Sequence, residues 1–421
     1  KCSLVGSEMC IRDRQRIDIP YIKKNQKLSS SSWEESLKIL KNKLKSLKPL
    51  ALVGEHVDLE TGYAINKFMS NFGKDNVECR TDNQAILENL DSYRFNTPLN
   101  EIENSDLIIL LGTNPKIETP IINHKIFKAY NNNSRIFNIG ENIPLNYQTE
   151  YLGEKLSNLN NEKLIKALKK SSNPLIIIGS AFLNKIKNIK TLKSIFSFAD
   201  KYNVITKDKN NLNFLNPYAS RVGQLILGNT TKNLCEPFSK LKKEKFEIVL
   251  SFGSEHIASE QFDNCFRVYF GHHGDEGAMK SDIILPTPLY TEKNGIFVNI
   301  EGRPQEAKKC HNPIGSAKEE WSIIKKLSDE FSFVFEPNTF EQLRSELLKK
   351  YTKLSIFHEI LSNDNASPII TDIEFEDCKT QYPINNFYMS DIISKNSVTM
   401  AKCVEEIAST PSLLELSLIH I

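Results

Sequence analysis

Gly271–Gln305, GHHGDEGAMKSDIILPTPLYTEKNGIFVNIEGRPQ, decides how the rest of the chain is read. An apolar run, Phe266–Phe270, feeds a loop with glycines at 271, 274 and 277. Without Cβ atoms these residues let the backbone turn sharply and approach a ligand or another segment closely. A second run, Asp282–Leu285, stops at Pro286 and Pro288, which cannot donate to a ladder. Leu289–Lys293 and Ile296–Ile300 flank Asn294-Gly295, which predicts a two-residue hairpin turn. Beyond it Glu301-Gly302-Arg303 holds a charged pair on a hinge. A glycine loop at the carboxyl end of a buried strand is where open α/β sheets bind ligands. The plain alternative is that these glycines only shape turns.

Upstream, short apolar runs end in glycine again and again. Leu50–Val53 ends at Gly54, Asp106–Leu111 at Gly112 and Arg135–Ile139 at Gly140. The pattern then recurs: Leu175–Ile178 ends at Gly179, Glu247–Phe252 at Gly253 and Arg267–Phe270 at Gly271. Helical periods lie between them, at Thr61–Phe72, Pro120–Tyr130 and Ile189–Asp200. Strands that are apolar throughout, alternating with helices, predict parallel sheets covered on both faces. The repeated landmarks predict two similar lobes in succession. Ser32-x-x-Glu35 reads as a capping box ahead of the stripe Trp33, Leu37, Leu40, Leu44 and Leu47. Ser316-x-x-Glu319 and Thr339-x-x-Gln342 open two further helices.

The expected domains follow. Residues 1–14 join no pattern and are set aside as a non-native or unstructured end, and roughly 412–421 are treated likewise. A lead-in segment and capped helix occupy 15–48, a first α/β lobe 49–170 and a second 171–290. The hairpin and return helices take 291–350, and a tail takes 351–421.

With 421 residues the chain has room for a sizeable core. Its 54 Lys+Arg against 52 Asp+Glu leave +2, which gives no reason to expect nucleic acid. Eight cysteines, at 2, 10, 79, 235, 265, 310, 378 and 403, form no zinc or iron–sulfur spacing. They read as thiols of a reducing compartment. No apolar run approaches the ~20 residues that span a bilayer, and a soluble, intracellular protein is expected.

Several side chains invite chemistry. His272-His273 suggests a metal, although neighbours on an extended chain point in opposite directions. Asp275, Glu276, Glu301 and Arg303 could form an acid–base set or a structural ion-pair set. Gly112-Thr113-Asn114 and Gly253-Ser254-Glu255 each follow a strand and could present amides to phosphate, but neither has a dinucleotide or P-loop spacing. No serine or cysteine sits in a nucleophile elbow.

Longer stretches carry a resemblance. TEKNGIFVNIEGRPQ, ending at Gln305, resembles a segment of the molybdopterin oxidoreductase family, with Ile296 where that family has threonine. IENSDLIILLGTNP (Ile102–Pro115) is similar to its acidic turn, strand and Gly-x-Asn-Pro loop, and Ser32-Trp33-Glu34-Glu35 to a helix start. These matches cover roughly Arg16 to Phe331. Phe387-Tyr388-Met389-Ser390-Asp391 and Thr399-Met400-Ala401-Lys402-Cys403 resemble the end of the G-subunit family of respiratory NADH:quinone oxidoreductases, complex I. Gly271–Asp275 and Tyr290–Lys293 fit the same family.

The resemblance implies two Rossmann-like lobes with parallel sheets and an extended carboxyl-terminal tail. It implies a scaffold in the peripheral arm of complex I, on the cytoplasmic side of the membrane or the matrix side in a eukaryote. Partners would be other peripheral-arm subunits, with no nucleic acid and no direct membrane insertion. Iron–sulfur clusters are implied for an amino-terminal region that this sequence lacks. Molybdopterin and catalytic residues are implied to be absent. Gly112, Thr113, Asn114, Gly271, His272, Asp275, Asn299, Glu301 and Arg303 would line what remains of the pocket. One rival is an active molybdopterin oxidoreductase of formate-dehydrogenase type, with Asp82 or Cys79 near the metal. Another is a plain nucleotide-binding α/β protein.

Overall fold

The computed structural model describes residues 16–82, 84–186, 188–231, 246–362, 373–375, 389, 392–395 and 397–409. In chain order its strands are β1 (Tyr21–Lys24), β2 (Lys27–Ser30), β3 (Pro49–Val53), β4 (Val77–Glu78), β5 (Leu107–Leu111), β6 (Arg135–Ile139) and β7 (Glu150–Gly153). Then follow β8 (Pro174–Ile178), β9 (Leu212–Phe214), β10 (Ile248–Phe252), β11 (Phe266–Gly271), β12 (Ile283–Pro286), β13 (Gly295–Val298) and β14 (Pro304–Ala307).

Two sheets share one plan. The larger runs β2-β1-β12-β11-β10-β3-β4 and the smaller β7-β6-β5-β8-β9. Every neighbouring pair in β12-β11-β10-β3-β4 is parallel, as is every pair in the smaller sheet. Pro49, Ile248 and Phe266 stand in one row of the first sheet; Pro174, Leu107 and Arg135 stand in the matching row of the second. β3 thus corresponds to β8, β10 to β5 and β11 to β6, which are the pairs that the strand-then-glycine landmarks matched.

The expectation of two consecutive lobes, 49–170 and 171–290, is corrected by this pairing. β3 and β4 join strands β10 to β12, while β8 and β9 join β5 to β7. Each stretch gives two strands to one sheet and three to the other. One compact unit accordingly gathers residues 16–81, 218–231 and 246–361, and the other 82–217 together with the described residues after 361. Local pattern locates a strand, but the partner of a parallel strand is set by contacts far along the chain.

The central strands are buried throughout: Leu107–Leu111 and Pro174–Ile178 expose no residue. At about 1.5–3 kcal/mol per large apolar side chain, such strands supply much of the drive to fold. Ser32 Oγ accepts from the Glu35 amide at 3.1 Å and starts the helix Trp33–Ser46, which buries Leu37, Leu40 and Leu44. Thr339 caps Phe340–Lys350 in the same way. Ser316 does not cap. Its hydroxyl donates to the Asp18 carbonyl, and the helix begins later, at Glu320.

Asn294-Gly295 is not the hairpin turn. Leu289–Lys293 is no strand: Tyr290–Glu292 forms a 3-10 turn, and β13 pairs instead with β14 around the turn Asn299–Arg303. Gly295 is needed because a Cβ there would stand 2.6 Å from Asp58 Cβ.

The tail touches the second unit at Ile373 and Phe375, which pack on its apolar core. Two helices follow, Ile392–Lys395 and Val398–Ser409. Phe387, Tyr388, Ser390 and Asp391 lie outside the described residues, as do 1–14 and 412–421. Among the described residues no helix is long and apolar enough to cross a membrane.

Candidate functional site

In the smaller sheet the chain runs outward from β5 through β6 and β7, then returns to β8 and leaves by β9 on the other side. The carboxyl ends of β5 and β8 therefore frame a crevice at a topological switch point, the usual ligand position of such sheets. Gly112 closes β5 with φ +59°, and a Cβ there would sit 2.4 Å from the Phe182 ring. Gly179 closes β8, where a Cβ would meet the Gly112 carbonyl oxygen at 2.5 Å. Two loops are thus brought together: Gly112-Thr113-Asn114 and Gly179-Ser180.

The crevice is filled by the chain itself. Pro115 starts a single helical turn that ends at Glu118. The Glu118 carboxylate folds back to accept from four groups on the two loops. Thr113 Oγ1 donates at 2.5 Å, the Asn114 amide at 3.2 Å and the Ser180 amide at 2.9 Å, and the Ser180 hydroxyl donates as well. Burial pushes the Glu118 pKa above its ordinary value, against the pull of these donors. Glu118 carried no signal in the sequence beyond its place a few residues after the Gly-Thr-Asn-Pro loop.

The corresponding loop of the first unit, Gly253-Ser254-Glu255, is also closed. The Ser254 amide donates to Ser251 Oγ at 3.1 Å, and that hydroxyl donates back to the Ser254 carbonyl at 2.7 Å. Ser220 Oγ donates to the Gly54 carbonyl at 2.9 Å.

The loop after β11 departs from expectation. His272 and His273 do not diverge: their Nδ1 atoms lie 2.7 Å apart. Burial and the nearby positive groups His273, Arg16, His56 and Lys293 hold His272 well below the usual histidine pKa. Among the described residues no group of three or more His, Cys, Asp or Glu side chains could hold a metal. Asp275 does not join Glu301 and Arg303. It caps the helix Glu276–Lys280 by accepting from the Ala278 amide at 2.8 Å, and it accepts from the Tyr269 hydroxyl at 2.5 Å. Glu276 pairs with Lys280 at the surface.

Asn299, Glu301 and Arg303 are turn residues. Asn299 Oδ1 accepts from the amides of Glu301 at 3.0 Å and Arg303 at 2.9 Å, which fixes the bend between β13 and β14. Glu301 and Arg303 stand 3.6 Å apart, and the guanidinium also donates to the His358 carbonyl. Gly302 takes φ +82°, a conformation that favours glycine. Asp82 Oδ1 accepts from the Gln84 amide at 3.5 Å, and Cys79 is buried.

Sequence reasoning missed a buried polar cluster. Lys293 is buried between Asp58 at 2.8 Å and Glu320 at 2.9 Å. Burial would lower its pKa, but the two carboxylates raise it. Glu292, one residue earlier, accepts from the two terminal guanidinium nitrogens of Arg16 at 2.8 Å each. Glu60 accepts from the Ile296 amide at 2.9 Å and from Arg344 at 2.6 Å. Burial and the neighbouring Asp58 push Glu60 up to about 7. Apart from Lys293 and Glu320, which are 27 residues apart, the partners lie more than 200 residues apart, so no local spacing marks them. The signal available was the Tyr-Thr-Glu-Lys run itself.

Five parallel strands of the larger sheet, β12-β11-β10-β3-β4, repeat the order of the smaller sheet, β7-β6-β5-β8-β9, which defines a pair of open α/β sheets. A family model described as molybdopterin oxidoreductase matches residues 16–330. A second model, for the carboxyl-terminal part of the NADH-ubiquinone oxidoreductase G subunit, matches 361–403. The chain belongs to the molybdopterin oxidoreductase family, and its carboxyl-terminal part is similar to that of the G subunit of NADH-ubiquinone oxidoreductases.

The NADH-quinone oxidoreductase G subunit from Rickettsia bellii is 36% identical over 93% of this chain and 58% of its own length. The NADH-ubiquinone oxidoreductase 75 kDa subunit of Reclinomonas americana is 33% identical over 93% of this chain and 60% of its own. The chain thus spans under two thirds of the length of these relatives. Among solved structures, the formyltransferase/hydrolase complex of Methylorubrum extorquens contains a similar chain. It has a TM-score of 0.54 and 12% identity, covering 79% of this chain and 99% of its own, and it shows the fold alone.

The family implies a pterin cofactor, whose phosphate groups need free donors at a crevice of this kind. Here the Thr113 hydroxyl, the Asn114 amide, and the Ser180 amide and hydroxyl are already spent on the Glu118 carboxylate. The residues do not fit the group.

Proposed function

We propose that this chain is a non-catalytic scaffold within the G subunit of an NADH:quinone oxidoreductase. It supports an assembly that passes electrons from NADH through iron–sulfur clusters to quinone, with the clusters held outside this stretch. The observation that carries the reading is the fate of the Tyr-Thr-Glu-Lys run. Glu292 and Lys293 are consumed in buried internal ion pairs with Arg16, Asp58 and Glu320 and present no acid or base to a substrate. The position of the chain among its relatives supports the same assignment.

Other peripheral-arm subunits are the proposed partners, on the cytoplasmic side of the membrane or the matrix side in a eukaryote, without nucleic acid and without insertion of this chain into the bilayer. Glycine loops Gly112–Asn114 and Gly271–Asp275 are, in this reading, each a remnant of a binding loop within its own unit, with polar groups turned inward.

Elemental analysis of the purified intact complex tests the proposal. Iron without stoichiometric molybdenum or tungsten is expected. One molybdenum or tungsten per copy of this chain would overturn the scaffold reading in favour of an active oxidoreductase.

A further inference from the structure

The donors around Glu118 form an anion site by construction. Two amides and two hydroxyls, drawn from the loops after β5 and β8, converge on two carboxylate oxygens.

We infer that Glu118 is a built-in occupant of this crevice: its carboxylate takes the donors that a phosphoryl group would take and so bars phosphoryl ligands from the second unit. The carboxylate and a phosphate present the same kind of acceptor to these groups, negative oxygens a short distance apart. A phosphate entering with Glu118 in place would meet like charge at contact distance and find no donor free. Removing the carboxylate leaves four donors aimed at one point, with the glycine-shaped loops still holding them. The crevice then becomes a site for phosphoryl anions.

This inference goes further than the scaffold reading and is tested separately from it. The readouts are thermal stability and amide hydrogen exchange of the full-length subunit with inorganic pyrophosphate as the probe. Wild type is expected to show no saturable stabilisation, with the Asn114 and Ser180 amides protected and indifferent to pyrophosphate. Glu118→Ala is expected to melt lower and to recover by several degrees in a saturable way as pyrophosphate is added. Glu118→Ala combined with Ser180→Ala should lose that recovery.

Pyrophosphate protection of the wild-type amides would overturn the inference, since the site would then accept phosphate with its carboxylate in place. A folded Glu118→Ala protein indifferent to pyrophosphate would overturn it too, reducing Glu118 to a local brace. If Glu118→Ala does not fold, the wild-type exchange measurement still decides. Metal content, which tests the scaffold reading, is not expected to change in any of these variants.

Discussion

His272 and His273 face each other through Nδ1 atoms only 2.7 Å apart, so one ring must donate the proton that the other accepts. The pair is therefore incompatible with both rings being fully protonated. His272 is held well below the ordinary histidine value, so the unfolded chain binds its proton at a higher pH than the folded one. Stability is then fully present above about 6.5 and is lost as the pH falls below it, by up to about 1.4 kcal/mol per pH unit. Chemical denaturation across pH 5–8 should show this slope in wild type and a flatter one in His272→Asn.

Glu60 produces the opposite slope. Its pKa rises from 4.5 to about 7, so the folded chain keeps a proton that the unfolded chain has lost. Its contribution is complete below about 4.5 and disappears as the pH climbs through 7, a change of about 3 kcal/mol. The stability difference between wild type and Glu60→Gln should shrink over that interval. Because the two slopes oppose each other, each is read against its own variant.

Lys293 neutralises two buried carboxylates at once. Lys293→Met should cost about 3–5 kcal/mol, since it strands Asp58 and Glu320 without a counter-charge. Adding Asp58→Asn and Glu320→Gln should return a good part of that loss, because the buried charges are then gone. Urea unfolding of the single and triple variants at neutral pH measures both steps.

Gly54 and Gly179 occupy equivalent places in the two sheets. A Cβ at Gly54 would stand 2.3 Å from the Gly253 carbonyl oxygen, and one at Gly179 2.5 Å from that of Gly112. Both obstacles are backbone and cannot swing aside. Gly54→Ala and Gly179→Ala should each cost at least about 1–3 kcal/mol, seen as comparable drops in melting temperature. A neutral effect at either position would break the equivalence of the two sheets.

Much of the fold was legible in the sequence because it rests on local chemistry. Apolar runs closed by glycine located the central strands, and Ser32 and Thr339 marked true helix starts. Pairing was not legible: nothing within Leu50–Val53 says that its neighbour is Ile248–Phe252 rather than a nearer strand. Asn294-Gly295 misled because a dipeptide suited to tight turns is also tolerated where backbone passes close to a side chain, here that of Asp58. The candidate site was legible only in part. Gly112, Thr113 and Asn114 gather around the Glu118 carboxylate, whereas Asn299, Glu301 and Arg303 hold a turn and Asp275 caps a helix. Glu118 and Asp58 act through folding that brings distant loops and segments together, which no window of sequence displays.

The way the chain divides its strands between the two sheets has a consequence for synthesis on the ribosome. The Lys48 amide, just ahead of β3, donates to a Glu247 carboxylate 199 residues downstream. At about 5–20 residues per second, β3 emerges roughly ten to forty seconds before its neighbour exists. In that interval the strands from β5 to β9 can complete their own sheet, while β3 and β4 wait with open edges. The order of translation therefore favours finishing the smaller sheet first and closing the larger one last. A nascent chain stalled before residue 246 would carry an exposed, uncharged strand edge that chaperones must shield.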